Sequence, residues 1–411
     1  MSNKTKVTII GGCGHVGLPL GIILADSPNF EVTQLDIDDK KIAQVNAGEM
    51  PFMEEGMEPI LRKVASRTLR ATSDMGCLES ADVVISVIGT PVDRHLNPLL
   101  KEIHRHADQT IERMKDDALL IMRSTLYPGV TKLIYDRIKM RKRNIHLAVC
   151  PERILQGKAL YEVPELPQIV GAFEKEAERR AGEFFKRITK TVIYVHPLEA
   201  EFGKLMVNSW RYLDFANANQ FYILCQRYGL DFYRIFEAFR YEYPRMKTWP
   251  KAGFSAGPCL LKDTLQLCAF SNNLFSLGSQ ALVVNESLPN FIIERLQPAN
   301  LAGHTVAILG MAFKGNCDDK RDSLAYKLKN LLKVYAKEVY CTDPHVPDAD
   351  LVPLEKALEA EVIILGAPHA VYADLQFPKE KIVVDVFGFW PRTEVRFDKA
   401  VPIGNLVQIS D

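Results

Sequence analysis

KVTIIGGCGHVGLP, Lys6–Pro19, passes from an apolar β-branched strand through glycines at the spacing GxGxxG into a stretch with proline in its first helical turn. Strand, turn and helix in that order make a phosphate cradle. Gly12 permits the tight turn, Gly14 lets backbone approach a pyrophosphate, and Gly17 lets helix and strand pack closely. The pyrophosphate then sits at the positive end of the helix. Asp36 closes the next strand, EVTQLD, at the distance where a carboxylate accepts hydrogen bonds from an adenosine ribose. Its charge repels a 2′-phosphate, which favours NAD over NADP. His15 and Val16, between the second and third glycines, join the candidate cofactor residues. The competing reading is a glycine-rich turn that binds nothing.

Outward from that turn, KVTII, EVTQLDID, DVVISVI, ALLIM, HLAVC and TVIYV are short apolar runs separated by longer segments of mixed polarity. Such alternation predicts α/β architecture, a doubly wound parallel sheet covered by helices. GTP at 89–91 and RST at 123–125 follow two of these strands, so Thr90 and Thr125 are candidate ligand residues, with helix capping as the alternative. After Pro197 a long proline-free run ended by Gly229 reads as one long helix, and a helical region continues to about Leu296. The first pattern then returns in TVAILG, EVYCTDP, EVIILGAP and IVVDVFG. KVTIIGGCG echoes TVAILGMAF, EVTQLDID echoes EVYCTDPH, and ADVVISVIGTP echoes AEVIILGAPH. The expected organisation is a Rossmann-like NAD domain over 1–196, a central helical domain over 197–297 and a second Rossmann-like domain over 298–411.

Composition sets the outer limits. The 411 residues exceed one ordinary core, and 51 basic residues balance 51 acidic ones, which points away from nucleic acid and anionic membranes towards a small ligand. No apolar run is long enough to span a bilayer, and the N-terminal residues do not read as a signal peptide. The eight cysteines are scattered, with no CxxC pair and no zinc spacing, which predicts thiols in a reducing cytoplasm and no metal site.

Glu201, Lys204 and Asn208 fall on one face of the long helix. Lysine and asparagine side by side can donate to an oxygen that gains charge during reaction, whereas a solvated face with an ion pair is the competing reading. Cys259 follows Gly253, Ala256, Gly257 and Pro258 and precedes Lys262 and Asp263, so it differs from a cysteine that merely fills a core. A thiolate there adds to an aldehyde, and loss of hydride leaves a thioester that water cleaves to an acid. Glu152, directly after a strand end in CPERILQG, is the candidate general base.

GCGHVGLP from Gly12, VIGTP to Pro91, RSTLYPGVT from Arg123, CPER at 150–153, AEFGKLMVN from Ala200, GPCLLKD at 257–263 and AFKGNCDDKRDS from Ala312 together resemble the UDP-glucose/GDP-mannose dehydrogenase family over nearly the whole chain. The resemblance implies oxidation of a nucleotide-sugar primary alcohol to a carboxylate with two NAD molecules. It implies that Cys259 is the nucleophile, that Lys204 and Asn208 stabilise the oxyanion, and that Glu152 assists thioester hydrolysis. Thr125 and Asp263 would position water or protons, Lys314 would reach the nucleotide sugar, and Arg321 would join the cofactor and substrate sites. Arg245 would contact the sugar from a neighbouring subunit of a homodimer built through the central helices. CPER, with Arg153 and Gly157, resembles the branch acting on N-acetylhexosamine nucleotides. One departure stands out: Ala256, Gly257 and Pro258 replace the family's glycine pair and following serine or histidine, and proline removes a backbone donor. Two other classes remain open at this point, a two-electron hydroxyacid dehydrogenase that needs neither Cys259 nor a third domain, and a dinucleotide-responsive binding protein without catalysis.

Overall fold

A computed structural model describes residues 4–90, 92–93, 98–255 and 257–390. Pro91 of the VIGTP motif, Ala256 of the cysteine loop and the last part of the third segment, 391–411, lie outside the described residues. The chain divides into two compact units, 1–207 and 208–411.

In the first unit, strands β1 (Thr5–Ile10), β2 (Phe30–Leu35), β3 (Leu69–Thr72), β4 (Val83–Ser86), β5 (Leu119–Met122), β6 (His146–Val149), β7 (Gln168–Ala172) and β8 (Val192–Val195) form one eight-stranded sheet in the order β3-β2-β1-β4-β5-β6-β7-β8. All neighbours are parallel except β6 and β7. Both faces are covered, as an all-apolar strand requires. Val7, Ile9, Ile85 and Ile121 enter one core, whereas Val84, Leu120 and Met122 on alternate positions enter the other. The strands LRAT and QIVGA were not among the expected ones; the first is a short edge strand with Arg70 exposed, and the second carries three polar or small positions that dilute its pattern.

In the second unit, β9 (Thr305–Leu309), β10 (Glu338–Thr342), β11 (Val362–Leu365) and β12 (Ile382–Val384) form a parallel sheet in the order β10-β9-β11-β12. That order repeats β2-β1-β4-β5, and the registers superpose. Ile10 pairs with Leu35 and Ser86, and Leu309 pairs with Thr342 and Leu365. Gly11, Asp36 and Thr90 of the first sheet therefore correspond to Gly310, Asp343 and His369 of the second. The echo between the two ends of the sequence is a repeated fold.

The long helix Pro197–Arg227 starts on the proline, where a missing N–H costs nothing. Its stop is Gly229 at φ 70°, after which the Leu230 N–H returns 2.8 Å to the Cys225 carbonyl. In the second unit it is followed by helices Phe232–Arg240, Leu260–Phe270 and Ser276–Leu296, before the second sheet begins. Among the described residues no helix is long and apolar enough to cross a membrane, and no cluster of three His, Cys, Asp or Glu side chains could hold a metal ion.

Candidate active site

The glycine turn lies between β1 and the helix Gly17–Asp26. A Cβ on Gly12 would sit 2.7 Å from the Ile9 carbonyl oxygen, and one on Gly17 would sit 2.8 Å from that of Gly11. These two glycines are demanded by the protein's own packing. A Cβ on Gly14 meets nothing nearer than 3.5 Å, so the protein's own packing does not demand this glycine. Val16 occupies the position before the helix, which carries no side-chain cap, so its first N–H groups are not met by one. Asp36 accepts from the Cys13 N–H at 2.9 Å through one oxygen and from Ile37 and Asp38 through the other. The carboxylate thereby fixes the glycine turn. Gln34, fully buried behind the turn, donates to the Gly17 carbonyl, a contact that a polar residue inside an apolar strand should have flagged.

Gly11, Asp36, Ile37, Gly89 and Thr90 line a cavity of about 540 Å³ at the carboxyl ends of β1, β2 and β4, the crevice where open sheets hold ligands. The Thr90 hydroxyl also accepts from the Tyr127 N–H at 2.9 Å. These residues fit a dinucleotide. Gly14→Ala should lower NAD affinity by about tenfold or more by occupying the pyrophosphate's approach, with the melting temperature unchanged. Gly12→Ala and Gly17→Ala should instead lose about 1–3 kcal/mol of stability through overpacking. Calorimetric titration and thermal melts of the three variants check the contrast.

His15 stacks on Phe52 and meets the Gln156 amide at 3.0 Å, which ties the glycine turn to the CPERILQG loop. Three carboxylates set that loop's backbone. Glu152 accepts from Arg153 and Ile154, Glu162 accepts from Leu155, and Glu54 accepts from Gly157 and Ala159. Glu152 is only 11% exposed and pairs with Arg123, itself 2% exposed, so it is not surface charge. Arg123 also donates to Gln168 at 2.8 Å and lies over the Phe185 ring. Sequence reasoning passed over Arg123, although an arginine at the end of a buried strand must have a partner. Arg153 points its guanidinium at the Pro167 carbonyl.

Glu201 is 2% exposed, which removes the solvated-face reading for this residue. It accepts from the Gly129 and Thr131 N–H groups and the Thr131 hydroxyl, holding the start of helix Val130–Met140. Burial pushes its carboxyl up, and the hydrogen bonds from Thr131 and Gly129 oppose that rise. Lys204 is half-buried one turn along.

In the second unit Asn208 donates to Asp263 at 2.5 Å, and Asp263 is fully buried. Cys259 immediately precedes helix Leu260–Phe270, and its carbonyl accepts from the Asp263 N–H at 2.9 Å. None of the eight cysteines is disulfide-bonded, and Cys259 is the exposed one. Burial drives the thiols of Cys13 and Cys150 up to about 12 and those of Cys317 and Cys341 up to about 11, which makes them inert. Gly257 has φ 103°, and a Cβ there would lie 2.6 Å from the Phe313 ring. Its N–H reaches the Asp322 carbonyl at 3.4 Å. The cysteine loop thus rests on the AFKG and KRDS loops. Pro258 stands one position before the helix cap, where no helical hydrogen bond is forfeited. Arg321 is held high by its hydrogen bond to Asp319, whose carboxylate it grips from both oxygens. Lys314 lies over Phe313, and Arg245 is stacked on Tyr243 and donates to its hydroxyl at 2.7 Å.

Three family domains match in chain order: the NAD binding domain of the UDP-glucose/GDP-mannose dehydrogenase family over 5–189, its central domain over 198–287 and its UDP binding domain over 307–392. The chain belongs to the UDP-glucose/GDP-mannose dehydrogenase family. It is an NAD-dependent nucleotide-sugar dehydrogenase. It is 29% identical to the UDP-N-acetyl-D-mannosamine dehydrogenase of Pyrococcus horikoshii over 91% of this chain and 93% of that one. It is 26% identical to the NDP-N-acetyl-D-galactosaminuronic acid dehydrogenase of Ralstonia nicotianae over 92% of this chain and 95% of that one. A solved structure of the Pyrococcus horikoshii UDP-D-ManNAc dehydrogenase superposes with TM-score 0.83 at 28% identity, covering 90% of this dehydrogenase and 91% of that chain. Membership decides between the classes left open by the residues: the dehydrogenase carries a UDP binding domain, which a two-electron hydroxyacid enzyme does not need.

Proposed function

We propose that this dehydrogenase oxidises the C6 alcohol of a UDP-N-acetylhexosamine, UDP-N-acetylmannosamine or UDP-N-acetylglucosamine, to the uronic acid in two steps. Bound NAD supplies the hydride acceptor for each. Between them the Cys259 thiolate forms a C–S bond to the aldehyde carbon, and the carbonyl oxygen takes up charge against Lys204 and Asn208. After the second oxidation the carbon is a thioester. Water, deprotonated with help from Glu152 and placed by Thr125 and Asp263, attacks that carbon; the C–S bond breaks, the thiolate returns, and the product leaves as a carboxylate. Lys314 and Arg245 hold the nucleotide sugar, Arg153 lines its pocket, and Arg321 joins it to the cofactor side. The observation that carries this reading is the exposed cysteine at the start of a helix whose next turn bears the buried Asp263–Asn208 pair. The CPER loop and the names of the relatives support the N-acetylhexosamine.

An NADH-release screen with UDP-glucose, UDP-N-acetylglucosamine, UDP-N-acetylmannosamine, UDP-N-acetylgalactosamine and GDP-mannose tests both parts. Two NADH per sugar on an N-acetylhexosamine nucleotide is the expected result; one per sugar overturns the thioester route.

The division at 196/197 and 297/298 belongs to the same proposal, as does a homodimer through the central helices. Met206, Trp210, Phe221 and Leu224 fall on one face of helix Pro197–Arg227 and are all exposed, Trp210 to 67%. Trp210→Glu should yield a monomer by light scattering at concentrations where the parent protein is dimeric. A cytoplasmic location accords with eight cysteines outside disulfides, and cell fractionation checks it.

A further inference from the structure

The two repeated folds treat their switch-point carboxylates differently. Asp36 is half-buried at the rim of the cofactor cavity, with Thr90 across from it. Asp343 as a residue is likewise half-buried, but its carboxylate is fully enclosed, and the counterpart of Thr90 is the fully buried His369, whose Nε2 lies 3.0 Å from Asp343 Oδ2. The same oxygen accepts from the N–H groups of Met311 and Ala312 at 2.6 and 2.9 Å, and Oδ1 accepts from His345 and Val346. No ribose hydroxyl can reach it. On its other side the ring faces the Asn316 N–H, 3.0 Å from Nδ1. An amide N–H can only donate, so Nδ1 accepts and Nε2 carries the proton that goes to Asp343. Asn316 is tied a second time by accepting the Ala370 N–H at 2.8 Å. Gly315 passes so close to Pro368 that a Cβ would lie 2.9 Å from its carbonyl carbon.

We propose that His369 is a positioning residue for the nucleotide. It closes the ribose-type position of the second fold and turns it into a staple that fixes loop 310–316 on both sides of Lys314. Residues 311 and 312 are held by Asp343, residue 316 by His369, and the lysine between them is presented on a preformed turn. This rests on the assignment of Lys314 to the nucleotide sugar made above.

The two ring nitrogens can be removed separately. His369→Asn keeps an acceptor at the δ position for the Asn316 N–H and loses the donor to Asp343; His369→Gln keeps a donor at the ε position for Asp343 and loses the acceptor. Calorimetric titration of the full-length protein with UDP, and separately with NAD, reads the difference. His369→Gln should raise the UDP dissociation constant about tenfold, His369→Asn by no more than about threefold, the scale of one net hydrogen bond. NAD affinity should be unchanged in both. In turnover His369→Gln should raise KM for the nucleotide sugar with kcat preserved. Equal weakening by the two variants, or UDP binding by His369→Gln like that of the parent, overturns the proposal, because a purely structural histidine acts through its buried carboxylate. Asn316→Gly decides the matter should His369→Gln not fold: φ of 52° suits glycine, so the loop folds, yet loss of the Ala370 tie should weaken UDP about threefold, and unchanged binding refutes the staple. Lys314→Ala separates the premise. If it leaves UDP affinity intact, the lysine assignment fails, while a loss confined to the His369 and Asn316 variants still supports a staple acting through the loop's backbone.

Discussion

Cys259→Ser should lower acid formation by about 10⁴-fold, the scale on which removal of a covalent nucleophile acts, while NAD binding stays intact. A serine hydroxyl is scarcely ionised near neutral pH and cannot add to the aldehyde as a thiolate does. The variant should fold normally. Cys259 is exposed and fills no core, so the melting temperature should hold. Uronate and NADH measured together against time give the result. Ordinary uronate formation by the serine enzyme would rule out the thioester route, and with it the role given to Lys204 and Asn208.

The second large effect is expected at Glu152. Replacement by glutamine should slow thioester cleavage by about 10²–10³-fold, so that the intact protein gains the mass of the bound sugar nucleotide. The structure adds a cost that the residue's identity alone does not reveal. Oε1 faces two N–H donors, Arg153 and Ile154, and Oε2 faces the guanidinium of Arg123. A glutamine has one acceptor, so its NH₂ must point at donors on one side. Breaking a buried pair in this way typically loses about 3–5 kcal/mol, and a lower melting temperature should accompany the adduct. Lower stability with no trapped adduct would assign Glu152 to holding the loop and leave hydrolysis to another base.

Much of the candidate site's framework is legible in short local motifs. GCGHVG with Asp36 reports a turn whose geometry depends on residues within one βαβ unit, and the long helix is bounded by Pro197 and Gly229 in the chain itself. The strands that escaped notice, LRAT and QIVGA, lack an unbroken apolar run, and their pairing supplies what their own residues do not signal. For Glu201 the residues alone left open a solvated face with an ion pair. Its burial against Gly129 and Thr131, some seventy residues earlier in the chain, is a tertiary fact with no local signature. Arg123 and His369 were missed for the same reason: a buried polar group is defined by partners, and those come from other strands.

The order of residues by itself determined two α/β segments, the long helix that follows the first and a cysteine set among turn-forming residues, because backbone propensity and apolar spacing are local properties; the antiparallel pairing of β6 with β7 is not among them. Only the folded chain decided which of eight thiols is exposed, which glycines the protein's own packing demands, and which donors enclose the carboxylate of Asp343. Those outcomes depend on the distance of closest approach between segments far apart in sequence, and on whether a charged group, once enclosed, finds donors to replace the water it has lost.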